Sequence, residues 1–363
     1  MKWSWKLGRF AAIDVYIHAT FLLLIGFFGV SYWAGGRSIA AIIEGIGFIL
    51  LLFGCVILHE YGHALTARRY GIPTRDITLY PIGGVARLER MPDDPRQELW
   101  VALAGPAVNV VIAAALGAWL FLTNSFVPLS ELGMTTGSFI ERLMMVNVSL
   151  VVFNLIPAFP MDGGRVLRAL LATRMDYVRA TQIAASLGQG IAFILGFVGL
   201  FTAPTLVFIA FFVWIAAGQE AGMVQMKAAL NGIPVSRAML TDFRTLHPLE
   251  PVSRAMNWVV SGTQQDFPVV DRGQLVGILT REDLFAALKK GSPHLAAGHV
   301  MRRDFQWIDA QEMLETAFAR MSGASVQTAP VTWRGQLVGL LTMENVRKFL
   351  MLRSVLNSAE RRI

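Results

Sequence analysis

The chain has 363 residues, of which 54% are hydrophobic and 16% charged, with a mean hydropathy of +0.51, a balance that excludes an ordinary soluble globular protein. Its net charge of +7 is concentrated in alternate loops between apolar stretches, so it reads as membrane-orientation bias and not as a nucleic-acid footprint. The single cysteine, Cys55, excludes a disulfide framework and a paired-cysteine metal site, and reads as a small buried hydrophobe.

In chain order, residues 1–9 are basic and run into apolar sequence, which resembles a signal peptide. No small-residue cleavage site follows, so the segment is read as leading into a retained first span. Apolar stretches of spanning length lie at about 11–33, 39–64, 98–122, 140–161, 181–202 and 204–226, which predicts six crossings. Lys2, Lys6 and Arg9 precede the first stretch; Arg68, Arg69, Arg75, Arg87, Arg90 and Arg96 follow the second; Arg165, Arg168, Arg174 and Arg179 follow the fourth. The opposite loops hold only Arg37 and Arg142, so both termini are expected on the cytoplasmic face.

The second stretch ends in His59-Glu60-Tyr61-Gly62-His63. Residues four apart on a helix share a face, so both imidazoles can reach one metal ion, and Glu60 can act as general base for hydrolysis. Three ionisable groups within five residues at the end of a span are costly to keep as idle structure. Next come two β-prone runs, 76–80 and 85–89, joined by Pro81-Ile82-Gly83-Gly84, which predict a hairpin. Its edge, from Gly83 and Gly84 through Val85, could pair with an extended substrate, or the hairpin could be an ordinary cytoplasmic one. Gly105-Pro106 with Asn109 opens the third stretch and is read as packing and substrate-channel geometry, without a catalytic role. A zinc site for hydrolysis needs a third protein ligand, and the best candidate is Asp162 at the end of the fourth stretch, with helix capping as the competing use. Pro157 and Pro160 break the helix there, and Gly163-Gly164 allows close backbone approach.

With HEYGH at 59–63, PIGG at 81–84, GPAVN at 105–109 and NLIPAFPMDGGRVL at 154–167, the chain resembles the site-2 proteases, intramembrane zinc metalloproteases, in the subgroup with appended CBS domains. The resemblance implies His59, His63 and Asp162 as zinc ligands and Glu60 as catalytic base. It also implies a membrane-dipping hairpin and Asn154 contacting or orienting the substrate near the cleavage point, although an Asn in a span can equally bond a neighbouring helix. Substrates of such a family are single-span membrane proteins, whose helix has to unwind before attack because its carbonyls are engaged. The host membrane implied is a prokaryotic plasma membrane.

Past residue 227 the chain turns polar. Displaced by 62 residues, Gly273-Gln-Leu-Val-Gly277 matches Gly335-Gln-Leu-Val-Gly339 without a gap, as do Pro268-Val269 and Pro330-Val331. Each repeat reads helix, strand, turn, strand, helix, and is similar to a CBS motif. That family commonly binds an adenine nucleotide such as ATP between paired motifs, here through Thr280, Asp283 and Thr342, whose hydroxyls and carboxylate could bond ribose. Asn345 replaces the second acid, so one site is expected before two; Thr280 could instead cap a helix, and the pair could instead form a homodimer.

The expected architecture is thus a polytopic α-helical membrane protein of six spans with a small β-hairpin, carrying a cytosolic α/β tandem CBS pair. The domain boundaries are 1–226 for the protease, 227–234 for a linker, 235–290 and 295–352 for the CBS motifs, and 353–363 for a polar tail. A CBS-regulated transporter would explain the spans and the repeat but not His59, His63 and Asp162 together. A non-cleaving client-binding relative is opposed by the intact Glu60.

Overall fold

The computed structural model describes residues 3–81, 83–92, 94–123, 137–262, 264–289, 294–324 and 326–360, with side chains described as far as 353. Ile82 of the expected turn, residue 290 and the end of the tail lie outside them. The chain forms two compact units, divided between Val224 and Gln225.

The first unit opens with strands β1 (Ser4–Phe10) and β2 (Ile13–His18), an antiparallel pair turned at Ala11 and Ala12, both at positive φ (49° and 66°). A two-residue turn of this hand matches the twist of its strands. Helix α1 (Ala19–Ala34) follows, capped by the His18 ring, and then α2 (Ile39–Arg69), capped by the Ser38 hydroxyl and ending with Arg68 and Arg69 in its last turn. Gly71 at φ +73° reverses the chain into β3 (Thr74–Tyr80), which pairs parallel with β2 and antiparallel with β4 (Gly83–Leu88). The result is a four-stranded sheet in the order β1-β2-β3-β4, larger than the hairpin expected. The first strand pair has no separate signature in the sequence, because Ile13–His18 is apolar enough to merge with the helix that follows it.

Helices α3 (Pro95–Leu122), α4 (Phe139–Asn154), α5 (Asp162–Ala172), α6 (Tyr177–Thr202) and α7 (Pro204–Leu230) complete the unit. Among the described residues, four helices are long and apolar enough to cross a membrane: α2, α3, α6 and α7. Helices α1 and α4 each have 16 residues and span about 24 Å at 1.5 Å per residue, so the predicted first and fourth stretches are shorter helices than expected. The fourth ends at Asn154, and residues 155–161, with a cis peptide at Phe159-Pro160, form an irregular connection to the amphipathic α5.

In the second unit, each repeat packs one helix–strand–strand–helix layer around its own apolar core. The first comprises α8 (Val252–Ser261), β5 (Phe267–Asp271), β6 (Gln274–Leu279), α9 (Arg281–Lys289) and the short α10 (Ala297–Val300), around Leu246, Phe267, Val269 and Leu279. The second comprises β7 (Ile308–Asp309), α11 (Leu314–Gly323), β8 (Thr328–Trp333), β9 (Gln336–Thr342) and α12 (Met343–Glu360), around Ile308, Leu314, Val331 and Leu341. The repeat is visible in the backbone itself. Arg272 and Gly273 (φ +48° and +80°) turn β5 into β6 as Arg334 and Gly335 (+51° and +82°) turn β8 into β9. The two halves also interlock reciprocally: Leu240 bridges to Leu340 in β9, while Arg302 bridges to Ile278 in β6. A methyl group on Gly277 would lie 2.5 Å from the Met301 sulfur, and one on Gly339 would lie 2.7 Å from the Met239 sulfur. The glycines at these two equivalent places let each strand slide beneath the other half's methionine.

Candidate metal centre

His59 and His63 stand one turn apart on α2, both buried, and their Nε2 atoms lie 3.1 Å from each other. The Oδ2 atom of Asp162, the first residue of α5, lies 3.1 Å from the His59 Nε2 and 3.2 Å from the His63 Nε2. The cap position before α5 is Met161 and makes no side-chain capping bond, so Asp162 is turned to the histidines and does not close its helix end.

Zinc bound tetrahedrally at about 2.0–2.1 Å holds its ligands roughly 3.3 Å apart, close to the triangle formed here. The far ring nitrogens strengthen the match. The His63 Nδ1–H donates to the Val101 carbonyl at 2.7 Å, and the His59 Nδ1–H donates to the Asn109 Oδ1 at 2.5 Å. With the protons held there, both Nε2 lone pairs and a carboxylate oxygen converge with no hydrogen between them. A cation satisfies that arrangement, and among the described residues no other group of three His, Cys, Asp or Glu side chains could hold one.

Helix α3 forms the wall behind this triangle. A side chain at Gly105 would begin 2.2 Å from the His63 Nε2 and 2.6 Å from the His59 Nε2, so only glycine leaves the space free. One at Gly62 would begin 2.6 Å from the Ala104 carbonyl oxygen, which explains the glycine between the two histidines. The Gly105–Asn109 segment, read from its sequence as packing and substrate-channel geometry, therefore borders the centre directly. Spacing offered the missing signal: Gly and Asn four apart share a helix face, as His59 and His63 do.

Glu60 is half-buried, and its Oε2 accepts a bond from the Ala86 N–H of β4 at 3.1 Å. β4 is the last strand in the order β1-β2-β3-β4, so this bond is made from an edge strand of the sheet. Gly84 is pressed against Glu60 as well, since a methyl there would lie 2.8 Å from the Glu60 Cγ. Gly83 opens β4 at φ +139°, and Val85 pairs with Thr78 and is 45% exposed. The three hairpin residues singled out thus sit on the strand that touches Glu60. Asn154 is the last residue of α4, half-buried, and its side chain makes no hydrogen bond among the described residues.

Asp162 is held in place by the rest of α5. Arg168, fully buried, bonds Glu98 of α3 at 2.8 Å and Glu220 of α7 at 2.6 Å, between the rings of Phe159 and Tyr177, each 5.0 Å away. Arg168, which the sequence places with the cytoplasmic loop charges, is an interior residue that ties three helices together.

In the second unit a cavity of about 890 Å³ opens between the two repeats, lined by Thr280 and Phe285 from one and Thr342 and Asn345 from the other. Asp283 is not in its lining. Its carboxylate accepts from the Thr280 hydroxyl at 2.5 Å and from the Arg302 Nε at 2.9 Å, and the bond to Asp283 holds the Arg302 guanidinium above its ordinary pKa. Thr280 and Asp283 also exchange backbone bonds at 3.3 Å as a reciprocal helix cap, and the Thr342 hydroxyl accepts from the Asn345 N–H at 3.0 Å.

Residues 47–143 and 129–197 match peptidase family M50, and residues 235–290 and 297–352 each match the CBS domain. The chain is 33% identical over 281 residues to a zinc metalloprotease of Methanocaldococcus jannaschii, covering 77% of this chain and 78% of that one. It is 28% identical to a putative zinc metalloprotease of Synechocystis, over 95% of both chains. A solved site-2 protease from Methanocaldococcus jannaschii is 34% identical, with a TM-score of 0.45, over 60% of this chain and 95% of that one. The chain therefore belongs to peptidase family M50, the site-2 proteases, as an intramembrane zinc metalloprotease with two CBS domains.

Proposed function

We propose that His59, His63 and Asp162 hold the zinc ion of this protease and that Glu60 is its catalytic base. The observation that carries the assignment is the convergence of three buried electron-pair donors from α2 and α5, with Glu60 on the same helix. Zinc bound there would polarise the scissile carbonyl and lower the pKa of water at its open position. Glu60 takes a proton from the attacking water and returns it to the leaving amine. Ala86 holds the Glu60 carboxylate through one oxygen, leaving the other for that exchange. Gly83, Gly84 and Val85 offer the outer edge of β4 to an unwound substrate strand, and Asn154 orients the substrate near the bond cut.

The substrate is a single-span membrane protein, cut near the cytoplasmic face. Helices α1 and α4 cross the bilayer together with the four longer ones, giving six spans in a plasma membrane with both termini cytoplasmic. Residues 1–226 form the protease, 227–234 the linker, 235–290 and 295–352 the CBS motifs, and 353–363 the tail. The cavity between the repeats takes an adenine nucleotide, with the Thr280 and Thr342 hydroxyls toward its ribose and Asp283 reached once Arg302 gives way. A homodimer through the CBS pair is the second use of that unit.

The test compares purified wild type with Glu60→Gln for bound zinc and for cleavage of a single-span substrate. Zinc in both with cleavage by wild type alone is expected; cleavage by Glu60→Gln at the wild-type rate would remove Glu60 from the role of base.

A further inference from the structure

Behind His59 the bond to Asn109 continues into α4. The Asn109 Nδ2 donates to the Asn147 Oδ1 at 2.7 Å, and the Asn147 Nδ2 donates to the Leu143 carbonyl at 2.9 Å, with the Cys55 sulfur 3.5 Å away. Asn109 and Asn147 are both 0% exposed, so no water can substitute for a lost partner in this chain. The direction of every bond follows from its far end. A backbone carbonyl only accepts, so the Asn147 atom facing Leu143 has to be its NH₂ group, which leaves its oxygen to face Asn109. Asn109 then presents NH₂ to Asn147 and oxygen to His59, and the His59 proton is drawn to Nδ1. The reverse orientation of Asn109 would set two amide oxygens against each other and, with its NH₂ facing His59, put the proton on Nε2, in the middle of the metal centre.

We infer that Asn147, on a helix that contributes no metal ligand, is a positioning residue that fixes the His59 tautomer through Asn109, so that the His59 Nε2 is free to bind metal. His63 needs no such relay, because Val101 supplies a backbone carbonyl directly. An amide facing an imidazole has no intrinsic preference for oxygen or nitrogen, and the second amide anchored on Leu143 supplies it. Partners that orient a ligating histidine typically change metal affinity by about 10–100-fold when removed. The inference rests on the assignment of His59 as a zinc ligand.

The test uses the full chain in detergent, with histidines labelled with ¹⁵N, and reads two quantities: the His59 tautomer in metal-free protein and zinc affinity by chelator competition. Asn147→Leu removes the anchor; it is expected to mix the His59 tautomers and weaken zinc binding about tenfold or more. Asn147→Asp, protonated in this apolar setting, can still donate to Leu143 and accept from Asn109, and is expected to retain both properties. If Asn147→Leu does not fold, Asn147→Ala replaces it with the same loss expected; Asn109→Asp added to either is expected to restore near-wild-type tautomer and affinity, since a carboxylate accepts from His59 in either orientation. Wild-type tautomer and affinity in Asn147→Leu, or an equal loss in Asn147→Asp, would overturn the inference, as would failure of the double variant to keep the Nδ1–H form. A wild-type protein with the Nδ1–H tautomer but no zinc bound by His59 would instead count against the ligand assignment and leave the relay standing.

Discussion

The two units bury polar groups to opposite ends. In the membrane unit they sit in the interior and bond one another: imidazole to amide, amide to amide, and Arg168 to both Glu98 and Glu220. In the CBS unit the cores are apolar, while threonines, acids and basic residues collect around a cavity open to exchange. In an apolar solvent an unmatched polar group costs several kcal/mol, so such groups are kept only where they hold something in place. Around a wet cavity they cost little and can wait for a ligand. The same residue types therefore mean different things in the two halves.

Substitutions that break the matched interior should act most strongly. Glu60→Gln should lower cleavage by about 10²–10⁴-fold, measured as single-turnover hydrolysis, while zinc content is unchanged. Gly105→Val should abolish zinc binding without unfolding α3, since the new side chain occupies the space between the histidines; metal analysis beside a thermal melt separates the two effects. Arg168→Met leaves Glu98 buried without its cation, and should destabilise by about 3–5 kcal/mol, as one broken buried pair does. A double variant, Arg168→Met with Glu98→Gln, should recover part of that loss. The cavity of the second unit should be more tolerant. Thr280→Ala should weaken adenine-nucleotide binding several-fold, by about the 1 kcal/mol of one hydrogen bond, in isothermal titration. Smallest of all, Arg254→Ala breaks an exposed ion pair with Glu250 and should shift stability by less than about 1 kcal/mol.

The sequence made the candidate metal centre legible because its proposed ligands come in local patterns: two histidines one turn apart, and an aspartate placed among prolines and glycines. The repeat was legible because its turns need the same backbone, and Gly273 and Gly335 recur with their neighbours. What stayed hidden depended on contacts distant in sequence. Asn109 and Asn147 are separated by 38 residues, and neither looks unlike a packing residue by itself. Arg168 read as a loop cation because its partners, Glu98 and Glu220, lie 70 and 52 residues away. The β1–β2 pair was hidden by apolar composition, since a short buried strand before a span has the hydropathy of the span itself. The capping use of Thr280 was open from the outset, and Asp283 serves Thr280 and Arg302 while Thr280 and Thr342 line the cavity.

The most direct test is zinc-edge X-ray absorption on the purified protein and on Asp162→Ala. The arrangement of His59, His63 and Asp162 requires one zinc per chain with two imidazole nitrogens and a carboxylate oxygen at about 2.0–2.2 Å in the wild type, and loss of most bound zinc in the variant. An Asp162→Ala protein that keeps one zinc with an unchanged spectrum would show that the aspartate is not a ligand and that the converging triangle is not the metal centre.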